Sequence, residues 1–322
     1  MLNDDGLRAF LAKLPTDVPF TAAMARAEGV PAHALHQLVR SGLLRHPVQS
    51  VYAAHDLPDT LAHRVDILEL ILPAGCFVTD HTAAWLHAGD SVLLPNADLT
   101  PGRPDVFRRS QLRALRNPIV RSGERLVREA ELMNVGNITV TTPLRTAADI
   151  GRLFNRDVAL WGLDSMLATG AFCHEELLSI LPRFAKQRGV VQLRVLAALA
   201  DGGSASFGES ALRLRWYDAG LPRPELQVPV DVQGRTTYWL DMGLAHQAFA
   251  AEYDGEAWHS SAEARAHDVA RRNWLAQAGW IVLVFRTRDV FGRLQTADQR
   301  LRAAYREVKL RPLGGEVAPA RR

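Results

Sequence analysis

From Glu209 to about Val308 the chain runs through helix, three strands, helix, strand and helix, an order that few folds accept. Glu209 to Ala219 reads as a helix, with Leu212, Leu214 and Trp216 as its apolar surface and Gly220 closing it. Residues 225–232 read as a strand, Gln233-Gly234 as a hairpin turn, and 235–242 as the next strand, where Tyr238 and Leu240 alternate against Asp241. Residues 249–253 form a third strand ending at Asp254-Gly255. A long helix over 262–278 stops at Gly279, an apolar strand follows over 280–285, and a last helix begins near Ala297. Such an order predicts one sheet with helices on both faces.

The carboxylates of this segment are its chemistry. Asp241 is expected at the end of the second strand. Glu252 and Asp254, two apart at the end of the third, share one face, and Tyr253 points away. Glu209 opens the first helix. Like charges gathered in a cleft are costly unless protonated or neutralised by a cation. Mg²⁺ (or Mn²⁺) suits Asp241, Glu252 and Asp254, because it takes carboxylate oxygens and retains waters. So bound, it activates water and stabilises displacement at phosphorus. Singly, each feature has a plain reading: Glu252-x-Asp254 as a solvated turn, Trp258-His259 as packing, Asp268 with Arg271 and Arg272 as a surface helix pair. Their occurrence together, in one order, is what needs explaining.

The pieces "YWLDMG", "AAEYDGEAWHSS", "HDVARRNWLAQAGW" and "IVLVFRTRDV", spread over roughly residues 205–295, resemble the Vsr-like group of the restriction-endonuclease-like, or PD-(D/E)xK, superfamily. The resemblance implies a metal-dependent endonuclease with Asp241 and Glu252 as metal ligands and Asp254 as a further ligand or as an acceptor behind them. It also implies His259 as general base or donor to the phosphate, and Glu209 completing the metal shell or polarising a water. Arg265, Arg271 and Arg272 would contact phosphates, and Trp258 would stack on or wedge between bases. The departure is at Asp254, which stands where the superfamily carries a lysine. Vsr itself lacks that lysine and uses histidines, one of which His259 matches.

The N-terminal stretch has a different character. Thr21 to Glu28 reads as a short helix stopped by Gly29, and Pro31 opens a second helix that ends at Gly42. Ala34, Leu35, Leu38 and Val39 fall on one face, and His33, His36, Gln37 and Arg40 largely on the other. Two short strands follow, 43–46 and 51–54, joined by a turn over 47–50. This is the pattern of a winged helix-turn-helix, whose second helix enters a DNA major groove with Arg45 at the wing; a structural helical hairpin is the alternative. The run "ARAEGVPAHALHQLVRSGLLRHPVQSVYAA" resembles the N-terminal winged helix of AbiEi-type antitoxins, with Gln49-Ser50 in place of the usual Pro-Gly. "FVTDHTAAWLHAGD" and "NITVTTPLRTAADIGR" further on resemble stretches of the same family. Within the second, Arg145 and Asp149 are spaced as a surface i,i+4 pair. Arg108, Arg109, Arg113 and Arg116 are either DNA-backbone contacts or a solvated charged face.

The expected organisation is therefore an α+β or α/β multidomain chain. A winged helix-turn-helix (1–57) precedes a mixed α/β middle domain (58–200). After a flexible Asp201–Ser204 linker comes the endonuclease-like αβββαβ domain (205–310), then a disordered tail (311–322). The 322 residues, 48% hydrophobic, suffice for two or three cores. No apolar run reaches the ~18 residues of a membrane span, and the N-terminus MLNDDGLRAF does not read as a secretory signal. Cys76 and Cys173 are expected to be buried thiols in a reducing cytoplasm. Three of the 38 cations are Lys and the rest Arg, which a GC-rich genome explains, though Arg is also the better phosphate fork. A pI near 9.1 permits nucleic-acid binding. The leading expectation is a metal-dependent DNA endonuclease that acts on double-stranded DNA in repair or defence. The competing one is a non-enzymatic regulator of AbiEi type with a cognate toxin and an inactive nuclease-like domain. A third is a nuclease that cuts RNA, since the fold does not fix the sugar.

Overall fold

The computed structural model describes residues 4–92, 94, 102–110, 118–232, 235–255 and 262–310; the side chains of residues 4, 232, 235–237 and 262–268 are not described. The Gln233-Gly234 turn, Trp258, His259, Arg113, Arg116, the side chains of Arg265 and Asp268, and the tail from 311 lie outside the described residues. The chain is mixed α/β and divides into two compact units. One holds Met1–Phe154 with Ser165–Ala198, the other Asn155–Asp164 with Leu199–Arg322.

The first unit opens with α1 (Asp4–Leu11), β1 (Phe20–Thr21), α2 (Ala22–Ala27), α3 (Ala32–Arg40), β2 (Leu44–Val48) and β3 (Val51–Ala54). The three strands make an antiparallel sheet in the order β1-β3-β2. Phe20, Ala25, Val30, Leu35, Leu38 and Leu44 are buried in one core beneath the helices. Thr21 caps α2 by accepting from the Met24 N–H at 3.2 Å. Pro31 proves to be the cap residue of α3 rather than its first helical residue. The sequence pattern showed neither α1 nor β1, the latter a two-residue strand too short to alternate visibly.

The same unit continues with α4 (Leu61–Glu69), β4 (Phe77–Val78), α5 (Asp80–Ala88), β5 (Val106–Arg109), β6 (Glu124–Arg125), β7 (Leu132–Val135), β8 (Ile138–Thr141) and α6 (Pro143–Leu153). Their sheet is mixed, in the order β6-β5-β4-β8-β7. Then come α7 (Arg156–Ala168), whose first residues belong to the second unit, α8 (His174–Ser179) and α9 (Val190–Leu199).

Arg145 and Asp149 are not a surface pair: both are fully buried. Helical spacing brings them together, but residues from the sheet cover them. Asp149 accepts from Arg145 Nε at 2.9 Å, Arg152 Nε at 2.8 Å and Arg125 Nη1 at 3.2 Å. Arg125 also bonds Asp80, and Glu131 accepts from Arg145 at 2.5 Å and Arg183 at 2.8 Å. Backbone carbonyls of Leu126 and Arg188 take further guanidinium hydrogens. Burial alone would raise the Asp149 carboxyl, but Arg145, Arg125 and Arg152 outweigh it and hold the group below its ordinary value. The cysteine expectation is corrected too. Cys173 is exposed at the start of α8 and Cys76 is half-buried.

The second unit comprises α10 (Phe207–Asp218), β9 (Glu225–Val232), β10 (Arg235–Leu244), β11 (Phe249–Tyr253), α11 (Ala262–Gln277), β12 (Ile281–Phe285), α12 (Thr287–Val290) and α13 (Ala297–Leu310). The sheet order is β12-β11-β10-β9. β9, β10 and β11 are antiparallel neighbours, and α11 returns the chain so that β12 lies parallel to β11. One face packs Met242, Leu244, Phe249 and Ala251 against Trp216 of α10 and Leu301 and Tyr305 of α13. The other packs Val228, Val230, Leu240 and Ala250 against Leu275 of α11. The Asp201–Ser204 stretch is a hydrogen-bonded turn: Asp201 N–H donates to Asp164 at 2.8 Å and Gly203 N–H to Asp201 at 3.1 Å. Asp164 is also the buried partner of Arg213 and Ser210. No helix among the described residues is long and apolar enough to cross a membrane.

Candidate active site

Asp241 is not at a strand end, because β10 runs on to Leu244. In an antiparallel pair the ends of successive strands lie at opposite ends of the sheet, so strand ends could not have brought Asp241 to Glu252. Register does so instead. Met242 pairs with Ala251 and Leu244 with Phe249, and one further step sets Asp241 opposite Glu252. Asp241 Oδ2 accepts the Tyr253 N–H at 2.7 Å.

The alternation of β10 changes face at this point. The pair Leu240–Val228 belongs to the core under α11, and the next pair, Met242–Leu226, packs with the core under α10 and α13. Strict two-residue alternation would put both pairs on one face. Between them lie Asp241 and Gln227, and Gln227 has φ of 47°, a left-handed conformation unusual for a side chain of its size. Gln227 Nε2 donates to Glu209 at 3.3 Å. Glu209 itself closes the first turn of α10, accepting from Ala205 N–H and Ser206 Oγ, each at 2.9 Å, while Ser206 Oγ accepts Glu209 N–H. The turn approaches β11 closely because residue 208 is glycine. A Cβ there would lie 2.0 Å from the Tyr253 ring.

Three carboxylates thus share a neighbourhood, and its electrostatics are unbalanced. Burial, together with Glu209 and Glu252, pushes the Asp241 carboxyl up to about 7, against the opposing Tyr253 N–H and Arg271. Glu252 is buried and held by both ends of the Arg271 guanidinium, one at 3.1 Å. As expected from alternation, Tyr253 faces the other way, its hydroxyl 3.0 Å from Thr287 Oγ1.

Asp254 does not join this group. The strand ends at Tyr253, so alternation no longer governs the next residue. The Asp254 N–H donates to Phe285 O at 2.8 Å and its carboxylate pairs with Arg286 at 3.4 Å. Among the described residues no group of three or more His, Cys, Asp or Glu is arranged to hold a metal ion. Two carboxylates do fit a divalent ion of the Mg²⁺ type, which commonly takes one or two from the protein and the rest from water and phosphate. The pair that would hold it is Asp241 and Glu252, brought together where Asp241 accepts the Tyr253 N–H. Gln227 has no mark in the sequence, since a left-handed φ at a glutamine leaves no pattern to read.

The nucleic-acid candidates divide similarly. His33, His36 and Arg40 are exposed on α3 and Gln37 is half-buried. Arg45 is turned inward, donating to Leu57 O at 2.8 Å. Arg109 pairs with Glu129 at 2.6 Å. Arg272 is exposed on α11, and Arg271 is committed to Glu252.

No family model matches the chain. It is 32% identical over 161 residues to uncharacterized proteins from two strains of Mycobacterium tuberculosis, CDC 1551 / Oshkosh and ATCC 25618 / H37Rv. The alignment covers 50% of this chain and 59% of each relative, so the chain spans little more than half the length of the curated proteins it matches. A crystal structure of another Mycobacterium tuberculosis protein aligns over 72% of this chain and 84% of its own, at 14% identity and a TM-score of 0.29, too low to carry an argument.

Proposed function

We propose that the protein is a metal-dependent nuclease acting on DNA, with Asp241 and Glu252 as its metal-binding carboxylates. The observation that carries this reading is the placement of Asp241 beside Glu252, where Tyr253 N–H holds it at 2.7 Å and burial with Glu209 and Glu252 pushes its carboxyl up to about 7. A strongly shifted group with a named physical cause is a common mark of a functional site. A divalent ion bound by these two carboxylates supplies positive charge and an activated water for phosphodiester hydrolysis. The chain's own part is to fix the pair. Tyr253 N–H orients Asp241, Arg271 orients Glu252, and the Ser206–Glu209–Gln227 chain holds the α10 turn beside them. Glu209 is therefore a positioning group, and Asp254 stands apart with Arg286. DNA is held on this reading by α3, through His33, His36, Gln37 and Arg40, in the winged-helix manner.

Incubating plasmid and mismatched duplexes with Mg²⁺ and with Mn²⁺ tests the reading. Wild type should nick or cut in a metal-dependent way and Asp241→Ala should not. Cleavage that survives in Asp241→Ala overturns it. A second reading, a DNA-binding regulator without catalysis, is favoured by the pairing of Glu252 with Arg271, which already neutralises one ligand. Tight duplex binding by a wild type that shows no cleavage and no metal binding would establish it.

A further inference from the structure

Arg271 is held more firmly than a phosphate-seeking arginine needs to be. Both guanidinium ends bond Glu252, Nη1 to Oε2 at 3.1 Å and Nη2 to Oε1, and Nη2 also donates to Trp239 O at 3.2 Å. The guanidinium carbon lies 5.5 Å from the centre of the Tyr238 ring. Tyr238 is in turn packed against Trp274 of α11, ring centres 5.6 Å apart. The cation is anchored from its own helix and from two adjacent strands, and it engages both oxygens of the carboxylate that a metal ion would need.

We propose that Arg271 is an internal counter-cation that occupies Glu252 beside Asp241 in the metal-free protein and sets how tightly a divalent ion binds. The inference rests on the reading of Asp241 and Glu252 as metal ligands. Its physical content is competition. A divalent ion that takes an oxygen of Glu252 must break at least part of a bidentate charge-assisted bond and sit close to a fixed positive charge. Such a bond accounts for about 10- to 100-fold in affinity. Lysine at the same place keeps the charge but loses the planar fork, so it should hold Glu252 less completely.

Titration of Mn²⁺ by calorimetry into the full-length wild type, Arg271→Gln, Arg271→Lys and Glu252→Gln tests this without reference to cleavage. Arg271→Gln should bind Mn²⁺ about 10- to 100-fold more tightly than wild type, Arg271→Lys should fall between, and Glu252→Gln should bind more weakly. Circular dichroism of each variant establishes that it is folded, and Arg271→Lys carries the test if Arg271→Gln is not. Equal or weaker Mn²⁺ binding in both arginine variants, with Glu252→Gln still impaired, overturns the counter-cation and leaves the metal site standing. No Mn²⁺ binding by any of the four proteins overturns both.

Discussion

Two carboxylate groups, one in each unit, meet their surroundings in opposite ways. In the first, Asp80, Asp149 and Glu131 are met by Arg125, Arg145, Arg152 and Arg183, and surplus guanidinium hydrogens go to backbone carbonyls. Asp149 is accordingly held ionised. In the second, Arg271 pairs with Glu252, while burial together with Glu209 and Glu252 pushes Asp241 toward its neutral form. Balanced burial of charge is what a fold requires of a network with no task beyond holding elements together. On the proposed nuclease reading the group around Asp241 takes a divalent cation, whereas Asp105 in the first unit, pushed up to about 6 by burial and Asp80, already has Arg121 as its partner.

The contrast predicts effects of different size and sign. Asp149→Ala leaves Arg145, Arg125 and Arg152 facing one another in the interior and should destabilise by about 3–5 kcal/mol in urea unfolding. Asp241→Asn should do the reverse, raising stability at pH 8 by about 1–3 kcal/mol while removing metal binding. The sign follows from the folded value of about 7 against an ordinary 3.8. Between those limits the folded protein keeps a proton that the unfolded chain has lost. The contribution of Asp241 is therefore intact below pH 4 and is lost as pH rises through 7, and Asp241→Asn should flatten that slope. His81 in the first unit behaves oppositely. Burial lowers it to about 4, so its contribution is intact above pH 6.5 and is lost as pH falls toward 4.

If α3 holds DNA as proposed, Arg40→Ala should weaken duplex binding and reduce the salt slope by about one. Arg45→Ala should act mainly on stability, its guanidinium being committed to Leu57 O. The smallest effect belongs to Arg286→Ala. Its pair with Asp254 is largely exposed and should account for about 0–1 kcal/mol, with cleavage unchanged.

What could be read in the sequence was periodic. The strands 225–232 and 249–253 and the start of the last helix fall where alternation and glycine stops put them, because those signals are local. The expectation that Glu252 and Tyr253 point to opposite faces holds for the same reason. Asp254 fails it because the strand has ended. Asp241 reaches Glu252 by register rather than by a shared strand end, and register depends on a turn and a partner strand that periodicity does not encode. The face change at Gln227, the inward turn of Arg45 and the burial of Arg145 and Asp149 are set by what packs over them. An i,i+4 spacing reads the same on a surface and in a core.

Thermal unfolding with and without Mn²⁺ reads out the claim that the carboxylates around Asp241 take up a cation as the proposed nuclease requires. Wild type should unfold at a higher temperature when Mn²⁺ is present, since an ion that binds only the folded state stabilises it. Asp241→Asn should start higher and show no further rise. A wild-type midpoint that Mn²⁺ leaves in place, or an Asp241→Asn midpoint that rises as much as the wild type's, would contradict the claim.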